Sequence, residues 1–258
     1  MKKNVKSKLI AFILPLLFIA CNSDDNKTTS TDSSTDSTTT TAMDTTASKT
    51  TMDAVTVAPN LYSVIKDTMG IRILKINYKP GDSSAMHSHP DNVLYVIGGA
   101  KMEFTMQDGT KQVRELTPGM AAILPGGTHS VKNVGTTTAD AILVEVNRAN
   151  NAGTKDTAMD AAKVAPKLYK VVKDTMNIRV LMATYPPGAS SALHAHPDNA
   201  IYVIQGSNSE FTDKDGKKQT MEMGNGMATV MPAGVHGVKN IGKGTTKVLI
   251  VEVNRPQK

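Results

Sequence analysis

GDSSAMHSHPDNVLYVIGG, residues 81–99, and GASSALHAHPDNAIYVIQG, residues 188–206, are two copies of one stretch. In each, a Pro-Gly turn leads to two histidines one residue apart, followed by Pro-Asp-Asn and a run of β-branched and apolar side chains. Successive side chains of a strand alternate between its two faces, so His87 and His89 project to the same side, as do His194 and His196. Working outward, residues 52–148 align with 159–255 at a constant offset of 107 without a gap, with 55 of 97 positions identical. A fixed-period repeat of this kind is a tandem duplication of one folding unit. The expected organisation is a first domain over 52–148, a linker ANNAGTKDTA over 149–158, and a second domain over 159–258.

Each copy reads as short strands punctuated by turns. In the first, IRILKINY (71–78) runs to Pro80-Gly81, NVLYVIGG (92–99) ends in paired glycines, and MEFTM (102–106) meets the hairpin signal Asp108-Gly109. MAAILP (120–125), SVKNV (130–134) and AILVEV (141–146) complete the series, and only the entry from Asp53 to Lys66 is compatible with a helix. This spacing predicts an all-β barrel or sandwich in each copy. Tyr95, Phe104 and Met120, with Tyr202, Phe211 and Met227, are expected to pack the barrel interiors. Glu103 and Glu210 are expected on the solvent side, with a general acid or base role as the alternative. Met102, Met106, Met221 and Met223 are expected as core filling, with a soft-metal site as the alternative.

A second motif follows the first in each copy. Gly119 precedes Pro125-Gly126-Gly127-Thr128-His129 and Asn133; Gly226 precedes Pro232-Ala233-Gly234-Val235-His236 and Asn240. The chain has six histidines, and all six occupy these positions. A third imidazole from a facing strand would close a facial three-nitrogen set that leaves coordination positions open.

These spacings resemble the two motifs of the cupin superfamily, G-x5-H-x-H-x3,4-E-x6-G and G-x5-P-x-G-x2-H-x3-N. The two-copy form resembles a bicupin. The resemblance spans residues 60–148 and 167–255, and it implies two double-stranded β-helix (jelly-roll) barrels that pair within the chain. It also implies metal sites at His87, His89 and His129, and at His194, His196 and His236. Two departures stand out. Asn92 and Asn199 take the place of the family's glutamate, as weak ligands or outer partners, and the third histidine follows its glycine by one residue where the pattern has two. Three neutral imidazoles leave a divalent ion its full charge and suit Fe, Zn, Mn, Ni or Cu. Asp91 and Asp198 are expected to point away from the histidine face.

The net charge of +6 is concentrated at the start, where MKKNVKSK precedes LIAFILPLLFIA. That is the form of a secretory signal peptide over residues 1–20. Beyond it remain 25 basic and 23 acidic side chains, so no nucleic-acid surface is implied. Phe18-Ile19-Ala20-Cys21 resembles a lipobox, which implies lipidation of Cys21, the only cysteine, and a membrane anchor. The following Ser23-Asp24-Asp25 resembles the export signal of Bacteroidetes surface lipoproteins, implying an outer-membrane or cell-surface address. Residues 21–51 are mostly Ser, Thr and Asp and are expected as a disordered tether. Within it Asp36-Ser37-Thr38 and Asp44-Thr45-Thr46, and later Asp156-Thr157-Ala158, resemble Bacteroidetes O-glycan sites.

Two function classes stay open on the residues. One is a binding module at the cell envelope that holds a metal and a small-molecule ligand. The other is a metal-dependent cupin enzyme of dioxygenase or isomerase type acting on a small substrate. The scarcity of aromatics, six Tyr and two Phe beyond the leader, speaks against a sugar-stacking lectin. Residues 52–148 carry nine basic and nine acidic side chains and residues 159–258 carry 13 and eight, so the two surfaces differ.

Overall fold

The computed structural model describes residues 52–153 and 158–257. The leader, Cys21, the tether and Asp156-Thr157 lie outside the described residues. Each repeat folds into a helical turn and nine strands. The first repeat comprises α1 (Ala54–Val57), β1 (Tyr62–Thr68), β2 (Ile71–Tyr78), β3 (His87–His89), β4 (Asn92–Gly98), β5 (Ala100–Met106), β6 (Lys111–Leu116), β7 (Ala121–Leu124), β8 (Gly127–Asn133) and β9 (Ala139–Val146). The second comprises α2 (Ala161–Val164), β10 (Tyr169–Thr175), β11 (Ile178–Tyr185), β12 (His194–His196), β13 (Asn199–Gln205), β14 (Asn208–Asp213), β15 (Lys218–Glu222), β16 (Ala228–Met231), β17 (Gly234–Asn240) and β18 (Thr246–Val253).

In the first repeat one sheet runs β1-β2-β9-β4-β7 and the other β3-β8-β5-β6, all antiparallel; the second repeat reproduces both orders. Two antiparallel sheets closed face to face in this order make a jelly-roll barrel, as expected. The entry segment is less helical than the sequence suggests. Asp53 caps a single turn by accepting from the Val55 and Thr56 amides, and the chain then becomes β1. The turn stops there because Pro59 follows, and a proline disfavours helical backbone in the residue before it.

Side-chain parity sorts the core into three parts. The inward faces of both sheets fill the first barrel with Leu74, Tyr78, Val96, Met102, Val131 and Leu143, and matching residues fill the second. The outward face of the five-stranded sheet is equally apolar: Ile71, Ile73, Val93, Ile142 and Val144 pack with Ile178, Val180, Leu249 and Val251 of the other repeat. A strand buried on both faces reads as a continuous apolar run, which is why AILVEV shows no alternation. Each such fully buried side chain contributes roughly 1.5–3 kcal/mol. Tyr95 belongs to this shared core, and Tyr202 packs against it. Both therefore lie between the barrels, not inside them as expected, because they share parity with Val93 and not with Leu94. Met120 is 38 % exposed at the rim, also contrary to expectation.

The contact between barrels is reciprocal. Arg148 donates to the Arg255 carbonyl at 2.8 Å and Arg255 donates to the Arg148 carbonyl at 3.1 Å. Arg148 also pairs with Asp198, and Arg255 with Asp91, each at 2.9 Å. Residue i meeting j while j meets i is the pattern of a two-fold interface, here written within one chain.

Candidate metal centre

The three-residue strand β3 carries His87 and His89 on its buried face, and β12 does the same with His194 and His196. Ser88, facing outward between the two histidines, bonds Thr128 on β8 at 2.8 Å and ties the two strands together. The third histidine does not come from a facing strand, as expected, but from the adjacent one: His87 is directly opposite His129 in the β3–β8 ladder, and His194 is opposite His236. Directly opposed residues of a ladder point to the same face, so the register alone assembles the triad. One donor nitrogen from each ring lies within 4.8 Å of the others in both clusters.

The outer partners decide which nitrogen faces inward. His87 Nδ1 lies 2.8 Å from the Ala85 carbonyl, which only accepts, so Nδ1 carries the proton and Nε2 keeps its lone pair. His89 Nδ1 lies 2.6 Å from Glu145 Oε1, with the same consequence. In the second barrel Ala192 and Glu252 play these parts at 2.9 and 2.6 Å. A carboxylate behind a histidine fixes its tautomer and orientation and raises its basicity as a ligand. Glu145, fully buried, is itself held by Arg72 at 2.6 Å, and Arg72 also pairs with Asp53, the cap of α1. Arg179, Glu252 and Asp160 repeat this chain.

Burial, then repulsion from the neighbouring imidazoles, pushes His129 down to about 4 and His236 down to about 3. Burial is also the main cause that lowers His87 and His194. These rings are therefore neutral at pH 7, the form that ligates. His196 Nε2 is buried with no hydrogen-bond partner. A buried, unpaired lone pair beside two further imidazoles is a donor set that fits a divalent transition metal. Bound there, such an ion would supply Lewis acidity.

Two other residue pairs reach the cluster. The Tyr62 hydroxyl donates to His87 Nε2 at 3.0 Å and accepts from Tyr78 at 3.0 Å; Tyr169 and Tyr185 repeat this at 2.8 Å each, so a metal on these nitrogens would take the place of the phenol bonds. Burial raises Tyr62 and Tyr169 well above the usual phenol range, so both remain protonated donors. Phe104 and Phe211 stand edge-on to His129 and His236. Asn92 donates to the Pro90 carbonyl at 2.9 Å and leaves its own Oδ1 buried without a partner. Asn199 lines a cavity of about 430 Å³ beneath the second triad, together with His196 and His236.

Glu145, Glu252, Tyr62 and Tyr169 were not singled out from the sequence. A signal for the glutamates exists, since a carboxylate inside the apolar run AILVEV shares parity with the barrel-facing Leu143. Glu103 and Glu210 are turned outward to Lys111 and Lys218, away from any chemistry. Asp91 and Asp198 point away from the histidines, as expected, and serve the inter-barrel ion pairs.

The cupin domain family matches residues 74–145 and 181–252, once in each repeat and over half of the chain. The chain belongs to the cupin family. Among solved structures this cupin is similar to the oxalate decarboxylase of Bacillus subtilis, described with Mn(II) centres, at 18 % identity, TM-score 0.51, covering 73 % of this chain and 70 % of that one. It is also similar to AerE from Microcystis aeruginosa, at 13 % identity and TM-score 0.51, covering 75 % of this chain and 97 % of that one. Identities this low establish a shared two-barrel fold. Among curated proteins nothing matches this cupin.

Proposed function

We propose that this bicupin holds a divalent transition metal on His87, His89 and His129 and a second on His194, His196 and His236, and receives a small molecule at the open coordination positions. The observation that carries the reading is the pair of triads whose inward nitrogens converge while Ala85, Glu145 and their counterparts occupy the outer ones. Metal content by mass spectrometry, on the protein freed of its leader beside a variant with all six histidines changed to Ala, tests it. Close to two equivalents lost in the variant is the expected result. No metal after reconstitution with Fe, Mn, Zn, Ni or Cu would overturn it.

One observation favours an enzymatic second reading: a phenol stands 3.0 Å from a metal-facing nitrogen and is wired to a second phenol. Such a group can hold or pass a proton beside a Lewis-acidic ion. Oxalate is the first substrate to try, because a protein of the same fold acts on it. Turnover lost in Tyr62→Phe and Tyr169→Phe with metal retained would support this reading, and equal rates in both forms would sink it.

The same proposal places the protein at the outer membrane or cell surface, anchored through lipidated Cys21. Labelling with a fatty-acid analogue, present in the native chain and absent in Cys21→Ser, is the expected outcome. Labelling that survives the substitution would remove the anchor from the proposal.

A further inference from the structure

The two barrels depart from one another at the end far from their histidines. Ser209 and Thr246 are 0 % and 3 % exposed, and the hydroxyl oxygen of each is buried with no hydrogen-bond partner. Both line the cavity of about 430 Å³ that runs beneath His196 and His236. The first barrel has Met102 and Ala139 at these positions, and Ile76 where the second has Ala183. Two of these exchanges, Met102 to Ser209 and Ile76 to Ala183, trade bulk for space; the third, Ala139 to Thr246, adds a hydroxyl and a methyl, so the second repeat gains two hydroxyls with a net loss of side-chain volume. An unsatisfied buried hydroxyl carries a desolvation cost that an apolar residue of like shape avoids, so two of them in the wall of one cavity call for a partner.

Strand register locates them. Thr246 pairs with Tyr185 and Ser209 pairs with Asn240, while Asn240 donates to the Tyr185 carbonyl at 2.7 Å, so both hydroxyls sit around one end of the barrel. His236 is paired with Asp213, four residues along β14 from Ser209, or about 13 Å of strand. The wall between is apolar, formed by Ile201, Met227, Val238 and Val248, and no lysine or arginine is among the residues lining the cavity. Asp213 is engaged by the amides of Asp215 and Lys217 at its own turn.

We propose that the second barrel alone binds an elongated small acid. Its carboxylate is held at the triad end, and its far end carries a neutral hydroxyl or carbonyl that Ser209 and Thr246 receive. The inference rests on the metal-centre reading, since three neutral imidazoles leave the ion's charge to attract the anionic head. The absence of a cation at the deep end is what requires a neutral tail.

The test is calorimetric titration of the Zn(II)-loaded full chain with 6-hydroxyhexanoate and with hexanoate, with metal content measured on the same samples. The expected result is one equivalent per chain and a preference of about tenfold for the hydroxy acid. That preference should vanish in Ser209→Ala/Thr246→Val. Binding should survive His87→Ala/His129→Ala and be lost in His194→Ala/His236→Ala. Independently of any ligand, Ser209→Ala and Thr246→Val should each raise the Tm of the metal-loaded protein, by about 2–4 °C. Two equivalents per chain, no preference, or a fall in Tm for both variants would overturn the inference. Absence of metal from the unmodified chain would overturn the metal-centre reading as well, whereas metal without preference would overturn this inference alone.

Discussion

Glu145 shows how one carboxylate can serve both fold and site. It orients His89 and at the same time neutralises Arg72, so that a buried charge is paired on both sides. Glu145→Gln keeps the shape but weakens the hold on Nδ1 and leaves Arg72 less well compensated. Its expected effect is a 10- to 100-fold loss of metal affinity in the first barrel with the second unchanged, read by competition with a chelator. The acid response follows from His129 and His236. Their folded values, about 4 and about 3, lie below the ordinary 6.5. Between those limits the unfolded chain binds more protons than the folded one, so stability rises with pH there. The metal-free protein should therefore lose stability as pH falls below about 6.5, and a variant with both residues changed to Gln should lose less over the same window in urea titrations. At this scale the six histidines were legible because each sits in a motif. The glutamates were overlooked because a single charge inside an apolar strand reads as a surface residue until parity is applied to it.

Among the elements, β2, β4, β5, β7 and β9 coincide closely with runs visible in the sequence, since their apolar residues are enough to mark them, whereas β8 begins three residues before the run read at 130–134. β1 and β6 were not visible as strands. Of the residues in β1 only Tyr62 is buried, and β6 is exposed along KQVRE, so neither has an apolar signature. What holds β6 is its hairpin: the Met106 amide donates to the Thr110 carbonyl at 2.8 Å and Gly109 adopts φ +84°, a conformation glycine takes without strain. The turn between β13 and β14 is tighter. A Cβ on Gly206 would lie 1.6 Å from the Met223 carbonyl oxygen, a backbone atom with little freedom to yield. Gly206→Ala should therefore lower Tm sharply, while Gly127→Ala, where a Cβ meets nothing within 4 Å, should leave it within a degree or so of the parent.

At the scale of the molecule, the duplication has made an internal two-fold interface. Its centre combines the apolar outer faces of both five-stranded sheets with Arg148 and Arg255, which exchange bonds with one another's carbonyls and with Asp198 and Asp91. Replacing Arg148 by Met removes the cation paired with Asp198, which keeps only the Ala233 amide and the Gln257 side chain, and breaks three bonds to the Met69 and Arg255 carbonyls. The expected cost is about 2–4 kcal/mol, with the Arg148→Met/Arg255→Met double variant departing from additivity in denaturant titrations. Additive losses would mean that the two arginines act separately.

The repeat and the histidine triads are local properties. Spacing along the chain and alternation along a strand are enough to specify them, so the sequence by itself determined a duplicated all-β unit with a nitrogen-donor cluster in each copy, and the resemblance of its motifs implied the jelly-roll form. Tertiary structure alone decided what surrounds them. Whether Tyr95 faces a barrel interior or the other barrel, whether Glu145 meets solvent or His89, and whether Ser209 is a surface hydroxyl or an unpaired one beside a cavity all depend on which sheet lies against which face. Contacts between residues 56 or 107 positions apart leave no periodic trace in the chain, because they are set by the closing of the sheets and the docking of the barrels.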